Sequence, residues 1–317
     1  MKAKVYIDGS EGTTGLRINE RFMERDDIEL LRIDSEKRKD PEERKKFINA
    51  SDITFLCLPD AAAIEAVSLI DKDNDHTVII DASTAHRTDE GWAYGFPELG
   101  DDFRKKIENG NRIAVPGCYA SGFLMMVYPL VKTGIIGSDY PVCVSALSGY
   151  SGAGKKAIAL YESDDKTNDL YAPRLYALSQ QHKHLKEMKA IAKLDRAPLF
   201  TPVVDDYYSG MIVSFPIYTD LMKKKMSPEE LCVSLSEFYK GQQFVKVMPF
   251  GSEAEDNNFL SANAYSGRDD AQIYVTGNEE RILVSSRFDN LGKGASGAAI
   301  QCMNIHLGLP EEKGLHI

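Results

Sequence analysis

Short apolar runs alternate with amphipathic segments through the first third of the chain. The run 53–58 is hydrophobic at nearly every position, as in a strand buried on both faces. Pro41 begins one amphipathic segment and suits a first helical position, and Asp60 is a candidate cap for another. The pattern predicts strands at 5–8, 28–34, 53–58 and 77–81, and helices at 16–23, 41–51 and 60–70. Strands alternating with helices favour a parallel, doubly wound sheet of the α/β class.

The pattern changes after about residue 140, where strand-like segments follow one another in runs. They are 141–147, 199–204, 211–218, 244–247, 272–276 and 282–288, with helices at 184–194 and 228–239. Strands in runs indicate a mostly antiparallel sheet covered by helices, which is an α+β arrangement. We therefore expect a dinucleotide-binding domain at 1–117, completed by a C-terminal helix within 290–317, and a catalytic domain at 118–289.

Composition and charge narrow the class of protein. The 317 residues carry a net charge of −10, which disfavours nucleic acid as a partner. The longest apolar segment, 120–131, is too short to cross a bilayer, and we expect no signal peptide before the first strand. Five cysteines without a CxxC pair suit a reducing cytoplasm and offer no metal site. We expect a cytoplasmic protein with a small-molecule substrate and no membrane association.

A glycine-rich loop follows the first strand. Glycines at three-residue intervals between a strand and a helix allow a pyrophosphate to approach the backbone and the helix N-terminus. The spacing is GxxGxxG instead of the common GxGxxG, so an ordinary strand-to-helix turn is the alternative. The candidate cofactor-binding residues here are Gly9, Ser10, Gly12, Thr13, Thr14 and Gly15.

The end of the second strand gives opposing signals about the nicotinamide cofactor. Asp34 stands where an acidic residue would hold the ribose 2′-hydroxyl of NAD. The segment 35–39 that follows is rich in lysine and arginine and suits the 2′-phosphate of NADP. The residues alone leave both cofactors open.

Cys118 is the strongest candidate for a nucleophile. A short strand runs into Pro116 and Gly117, and the apolar helix that follows places Cys118 at its N-terminus. A thiol there is more readily ionised than a free one, whose pKa is roughly 8.5. The other four cysteines, Cys57, Cys143, Cys232 and Cys302, fit the pattern of small hydrophobic residues.

A thiolate nucleophile needs an acid–base partner and groups that hold an anionic substrate. His182 and His184 flank Lys183 near a predicted helix start, where surface histidines or a metal pair are the alternatives. A second glycine-rich loop suits a phosphate or carboxylate. The candidate substrate contacts are Ser148, Ser151 and Lys155 in this loop, together with Arg112.

These segments resemble the N-acetyl-γ-glutamyl-phosphate reductase family, in its shorter form, along the whole chain. The segments that carry the resemblance are 9–15, 95–99, 116–120, 148–155, 182–184 and 289–297. The Pro-Gly-Cys-Tyr and Asp-Asn-Leu…Lys-Gly-Ala segments are the specific ones.

The resemblance implies reduction of N-acetyl-L-glutamyl 5-phosphate by NADPH, a step of arginine biosynthesis. It makes Cys118 the nucleophile that forms a thioester, and the His182/His184 pair the source of the acid–base residue, for which we favour His184. Lys186 stands where family members usually carry proline.

The resemblance also favours NADP over NAD, with Ser35 and Arg38 as phosphate contacts and with Asn290 and Lys293 near the nicotinamide. It implies a Rossmann-type first domain and a second domain like the C-terminal one of glyceraldehyde-3-phosphate dehydrogenase. We expect a homo-oligomer.

Three other functions compete with this hypothesis. Aspartate-semialdehyde dehydrogenase shares the fold and chemistry, but its active-site cysteine usually follows asparagine, where this chain has Gly117. A cofactor-independent cysteine hydrolase would use Cys118 and a histidine without the glycine loop. A dinucleotide-sensing regulator would need the glycine loop but no reactive thiol.

Overall fold

The computed structural model describes residues 2–317, apart from the side chain of Asp256. The chain divides into two units. One comprises the chain up to Gly117 together with Ala295–His316, and the other comprises Cys118–Gly294 with Ile317.

Six parallel strands form the sheet of the first unit. The strands are β1 (Ala3–Asp8), β2 (Ile28–Leu31), β3 (Ile53–Leu56), β4 (Val78–Asp81), β5 (Ala93–Tyr94) and β6 (Arg112–Ala114), in the order β2-β1-β3-β4-β6-β5. The helices that connect them are α1 (Thr13–Phe22), α2 (Pro41–Ala50), α3 (Asp60–Ser68) and α4 (Asp101–Asn109). All residues of β3 and β4 are buried, as a strand covered on both faces requires. The predicted α/β class is confirmed.

Two local predictions in this unit need correction. The second strand ends at Leu31 instead of residue 34, because the chain turns from there and the N–H of Lys37 donates to the carbonyl of Asp34. Asp60 does not cap α3, since it is the first helical residue and Pro59 precedes it. Its carboxylate instead accepts the N–H of Thr84 at 2.9 Å.

A mixed sheet of seven strands forms the second unit. The strands are β7 (Cys143–Gly149), β8 (Arg174–Leu175), β9 (Leu199–Asp205), β10 (Met211–Tyr218), β11 (Val245–Val247), β12 (Ala271–Gly277) and β13 (Arg281–Phe288), in the order β11-β12-β13-β10-β7-β9-β8. Only the β7–β9 and β11–β12 pairs are parallel. The helices are α5 (Cys118–Lys132), α6 (Lys155–Tyr161), α7 (Leu185–Ile191) and α8 (Pro228–Phe238).

The two faces of this second sheet differ. One face packs against α5 and α8, which cover its buried side chains. The composition of the opposite face can be read from the strand register. Leu147 pairs with Ile212 and Pro216 pairs with Leu283, so these side chains lie on the same face. Four of its side chains, Leu147, Leu199, Tyr218 and Leu283, are 43%, 53%, 59% and 39% exposed. We call this surface the open face.

The last helix, α9 (Gly297–His306), returns to the first unit. Its buried residues Ala299, Ile300 and Met303 pack in one core cluster with side chains of β1, β3 and β4. Small residues in α9 allow the helix to lie close to the sheet. Within residues 2–317, no helix combines the length and the apolar character needed to cross a membrane.

Candidate active site

Cys118 is the first residue of α5 and is partly exposed, while the residues that follow it are buried. The N–H groups of a first helical turn have no partner within the helix, and together with the helix dipole they favour a negative charge there. The segment at residue 294 fits tightly against this position. A Cβ at Gly294 would lie 2.9 Å from the Cβ of Cys118, so only a glycine leaves Cys118 in place.

The other four cysteines are poor candidates for a nucleophile, because they are buried or lie away from the start of α5. Burial raises the pKa of the Cys57 thiol to about 12, with the carboxylates of Asp81 and Asp8 adding to the effect. Cys232 is 5% exposed and its thiol donates to the carbonyl of Met248. Cys302 is fully buried, and Cys143 lies on the open face.

Both candidate histidines lie beside the residue that follows the nucleophile. The rings of His182 and His184 are perpendicular, with centroids 4.6 Å apart. Their centroids are 5.6 Å and 6.0 Å from that of Tyr119. His184 is the N-cap residue of α7 and is 5% exposed. The fold therefore brings both histidines to the start of the nucleophile's helix across more than 60 residues of sequence.

The two histidines differ in their hydrogen bonding. Nδ1 of His182 accepts the backbone N–H of His184 at 3.1 Å. A nitrogen that accepts a hydrogen bond carries no proton, so this bond assigns the remaining ring proton of neutral His182 to Nε2. His182 can then donate through Nε2, but its one basic nitrogen is occupied by the backbone. This geometry makes His184 the better acid–base candidate.

Two hydrogen-bonded tyrosines, the buried Tyr119 and the half-buried Tyr176, lie beside the histidines. The Tyr176 hydroxyl donates to the Tyr119 hydroxyl at 2.7 Å, and the Phe200 ring contacts that of Tyr119 at 5.1 Å. Burial above all, and then the neighbouring Tyr176 and Cys118, hold the pKa of Tyr119 well above its ordinary value. Burial also raises the pKa of Tyr176, so both hydroxyls stay protonated. Sequence reasoning missed Tyr176, because nothing in the pattern around it indicates a contact with a residue 57 positions away.

The second glycine-rich loop begins at the end of β7. Ser148 is buried, and its hydroxyl donates to the carbonyl of Gly149. The Ser151 hydroxyl is buried and accepts from Nδ2 of Asn290 at 3.0 Å. Lys155 is exposed and is the first residue of α6. Of the predicted substrate contacts in this loop, Lys155 is exposed to solvent. The hydroxyls of the two serines make hydrogen bonds that stabilise the loop.

Asp289 and Asn290 join several loops of the second unit. Oδ1 of Asn290 accepts the N–H of Gly210 at 2.8 Å, in addition to the bond to Ser151. Asp289 accepts the N–H of Leu291 at 2.7 Å through Oδ1, and the Ser209 hydroxyl and the Gly267 N–H through Oδ2. These consecutive residues therefore hold the second glycine loop, the turn after β9 and the turn after β13 together.

Two residues that we expected near the nicotinamide have buried side chains. Asn290 is 1% exposed and uses both ends of its amide inside the second unit. Lys293 is 2% exposed, and its ammonium lies 5.3 Å from the centroid of the Phe244 ring. The structure thus gives both side chains packing contacts within the second unit.

Arg112 lies at the amino end of β6, whereas ligands of parallel sheets bind at the carboxyl edge. Its guanidinium donates to the carbonyls of Thr77 and Asn111 at 3.1 and 2.8 Å. This position argues against the substrate contact that we expected.

The first unit contains a groove of about 440 Å³ at its glycine loop. Gly9 has a φ of +85°, and a Cβ there would lie 2.4 Å from the carbonyl oxygen of Cys57, so the loop requires glycine at this position. Gly12 is the N-cap of α1, and Thr13, Thr14 and Gly15 form its first turn. The groove-lining residues include Tyr6, Asp8, Gly9, Ser10, Glu11, Gly12, Arg38, Lys39, Arg44 and Glu65.

Basic side chains line this groove together with acidic ones. Arg38 and Lys39 line it, and Arg38 forms an ion pair with Glu11 of the glycine loop. Asp34 is exposed, and its carboxylate accepts the N–H of Glu36 at 3.0 Å within its own turn. Ser35 is exposed in the same turn and is not part of the lining.

The floor of the groove carries a buried polar group that a ligand can satisfy. The side chain of Tyr6 is 1% exposed, and among the described residues its hydroxyl has no hydrogen-bond partner. Arg44 beside it donates to Asp8 at 3.0 Å and to Glu65 at 2.6 Å. A glycine cradle, the two basic side chains of Arg38 and Lys39 and an unsatisfied hydroxyl fit a phosphorylated dinucleotide. Residues 2–317, leaving aside the Asp256 side chain, contain no cluster of ligands that could hold a metal ion.

Comparison with known proteins identifies similar sequences over nearly the whole chain. Residues 118–290 match the family model described as semialdehyde dehydrogenase, dimerisation domain. The chain is 47% identical to N-acetyl-gamma-glutamyl-phosphate reductase 2 of Nostoc sp., covering 99% of both chains. It is 44% identical to the N-acetyl-gamma-glutamyl-phosphate reductase of Chelativorans sp., covering 97% of this chain and 99% of the relative.

Solved structures of similar fold are more distant in sequence. Aspartate semialdehyde dehydrogenase II from Vibrio cholerae superposes with a TM-score of 0.72 at 16% identity, covering 97% of this chain and 99% of that one. Aspartate semialdehyde dehydrogenase from Francisella tularensis gives a TM-score of 0.71 at 17% identity, covering 96% and 99%. At this identity the likeness concerns the fold.

Proposed function

We propose that this chain, which belongs to the N-acetyl-γ-glutamyl-phosphate reductases of the semialdehyde dehydrogenase family, reduces N-acetyl-L-glutamyl 5-phosphate to N-acetyl-L-glutamate 5-semialdehyde and phosphate in arginine biosynthesis. The observation that carries the proposal is the cluster of Cys118, Tyr119 and His184 at the start of α5, in a chain that matches these reductases over nearly its full length.

Cys118 supplies the nucleophile in this proposal. Its thiolate attacks the acyl carbon, the carbon–oxygen bond to phosphate breaks, and phosphate leaves and takes a proton from solvent. The product is a thioester on Cys118. A thioester is a good acceptor for hydride, and thiolate is a good leaving group, so the covalent step makes the reduction feasible. The N–H groups of the first turn of α5, which have no partner within the helix, stabilise the oxyanion that forms on the substrate.

His184 moves the proton in the second half of the reaction. It protonates the substrate oxyanion of the thiohemiacetal and takes that proton back when the carbon–sulfur bond breaks. The aldehyde is then released and Cys118 returns to its thiolate form. His182 orients His184 through the hydrogen bond to its backbone N–H.

The groove of the first unit is proposed to hold NADPH, which when bound supplies the hydride. The glycine loop would take the pyrophosphate, and Arg38 and Lys39 would take the 2′-phosphate. Asp34 supports NADPH over NADH because its carboxylate is turned to its own backbone and does not line the groove.

Arg38→Ala should weaken NADPH binding by about 10- to 100-fold, the cost of one charge-assisted hydrogen bond, and leave NADH binding nearly unchanged. Fluorescence titration of both cofactors measures the effect. Lys37→Ala, a change in the same turn outside the groove lining, is the matched control. Equal weakening of NADPH and NADH by Arg38→Ala would contradict the assignment of the 2′-phosphate site.

The reaction is tested in reverse. Semialdehyde, inorganic phosphate and NADP⁺ are mixed with the protein, and NADPH absorbance is followed. We expect N-acetylglutamate semialdehyde to be preferred over aspartate semialdehyde by at least about 100-fold in kcat/KM, because a site built for the acetylated substrate leaves polar groups unpaired with the smaller one. The opposite preference would favour the second candidate, aspartate-semialdehyde dehydrogenase, which the similarity of fold supports.

We also propose that the protein forms a homodimer through the open face. Apolar side chains exposed on that face, Leu147 and Leu199 among them, would be covered by a second copy, and the matching family model bears the name of a dimerisation domain. Light scattering should give twice the chain mass of 35.2 kDa, and a monomer at micromolar concentration would contradict the proposed dimer.

We also propose a cytoplasmic location, since all five cysteines are thiols. Recovery of the native protein outside the cytoplasm would argue against this location.

A further inference from the structure

The segment between β8 and α7 carries both histidines and is attached to strand β9. Strand β8 pairs with β9, and the N–H of Tyr176 extends this pairing by donating to the carbonyl of Pro202 at 3.2 Å. Beyond Tyr176 the backbone leaves the sheet in a turn in which the N–H of Gln180 donates to the carbonyl of Ala177. Ala177 and Gln180 have φ values of 51° and 57°, in the left-handed region that residues other than glycine rarely adopt.

The side chain of Gln180 replaces the backbone at the next position of the sheet. Its Nε2 donates to the carbonyl of Phe200 at 2.8 Å, and its Oε1 accepts the N–H of Phe200 at 2.9 Å. A carboxamide offers one donor and one acceptor side by side, as a peptide group does, so the two bonds reproduce a rung of the ladder. A strained backbone held by two specific bonds indicates that the surrounding structure requires this conformation.

Phe200 connects this attachment to the histidines. Its ring centroid lies 5.3 Å from that of His182, and the ring itself is 1% exposed. His182 in turn accepts the N–H of His184. The position of His184 relative to Tyr119 therefore depends on contacts that begin at Gln180 and pass through Phe200 and His182.

We propose that Gln180 is a positioning residue for the acid–base histidine: its amide fixes the His182–His184 turn to β9 and so sets the place of His184 beside Cys118. The inference rests on the proposed function for the role of His184 and adds to it a residue that touches neither substrate nor cofactor. A displacement of the turn would slow the proton-transfer step without weakening substrate binding.

Gln180→Ala and Gln180→Gly should each lower kcat by about tenfold and leave KM nearly unchanged, because a small misplacement of a catalytic group lowers turnover strongly. The glycine variant relieves the left-handed strain but lacks the amide, so wild-type turnover in Gln180→Gly would overturn the proposal. Ala177→Gly is the matched control, since Ala177 is left-handed in the same turn and its methyl group makes no hydrogen bond. It should keep wild-type kcat.

Gln180→Glu gives a readout that a purely structural role would not change. A protonated carboxyl can reproduce both bonds to Phe200, whereas a carboxylate loses the donor and repels the carbonyl oxygen. The ratio of its kcat to that of the wild type should therefore rise as the pH is lowered from about 8 towards 5, since a carboxyl has an ordinary pKa near 4.3. The same ratio for Gln180→Ala should stay flat, and a flat ratio for both variants would count against the proposal.

A third measurement needs no acyl phosphate. Alkylation of Cys118 by iodoacetamide at about pH 6 should be at least about threefold slower in Gln180→Ala, because a displaced His184 no longer favours the thiolate. Slower alkylation in a protein that oxidises neither semialdehyde in the reverse assay would refute the proposed function while retaining the role of Gln180. Normal reductase activity and unchanged alkylation in the variant would refute the role of Gln180 alone.

Discussion

Cys118→Ala is expected to lower reductase turnover by at least about 10⁴-fold, because removal of a covalent nucleophile abolishes the two-step path and leaves only binding and electrostatic stabilisation. NADPH should bind to this variant nearly as well as to the wild type, since Cys118 does not line the groove of the first unit. Turnover is measured by the reverse assay and cofactor affinity by fluorescence.

Cys232→Ser is the matched control for this variant. Cys232 lies in the same unit, and its thiol makes a hydrogen bond to Met248 that a hydroxyl can also make. It should retain wild-type turnover with at most a modest loss of stability. Mass spectrometry of the wild type mixed with acyl phosphate and no cofactor should show the acyl group on residue 118. Substantial turnover in Cys118→Ala would exclude a covalent mechanism.

His184→Asn is expected to reduce kcat by about 10²- to 10⁴-fold, the usual contribution of a positioned acid–base group. His182→Asn should cost less than about tenfold, because the Oδ1 atom of asparagine can accept the backbone N–H of residue 184 much as Nδ1 of histidine does. His182→Ala cannot accept this N–H, so its kcat should lie between those of His184→Asn and His182→Asn. The steady-state kcat of all three variants is compared at one pH.

The pH dependence of kcat separates the two histidines further. The limb of the pH–kcat profile that reports an ionising histidine should persist in His182→Asn and disappear in His184→Asn. If His182→Asn proved the more damaging change and lost that limb, the roles of the two residues would be reversed.

Much of the fold was predictable because it depends on local pattern. The continuous apolar run of β3 and the proline at the start of α2 identify a buried strand and a helix start without knowledge of any partner. Helix α4 escaped prediction because it is strongly polar and Ile107 is its one buried residue, so no apolar run marks it in the sequence. Strand β8 is two residues long, which is too short for any periodicity.

The candidate site was predictable only in part. A nucleophile at a helix start is visible as a local motif, and so is a histidine pair. The Tyr119–Tyr176 contact and the attachment of Gln180 to Phe200 depend on how distant segments meet, and no local pattern specifies them. Arg112 shows what a local pattern leaves undetermined, since the structure places it as the first residue of β6, at the amino end of that strand.

The return of the chain to the first unit has a consequence for the order of folding during synthesis. Helix α9 supplies part of the core beneath β1, β3 and β4, and Asp289 and Asn290 join the loops of the second unit. Both sets of contacts come from the last tenth of the chain. A nascent chain that has already emerged from the ribosome as far as Cys118 therefore lacks a complete core in the first unit, and neither unit can finish folding until translation has nearly ended.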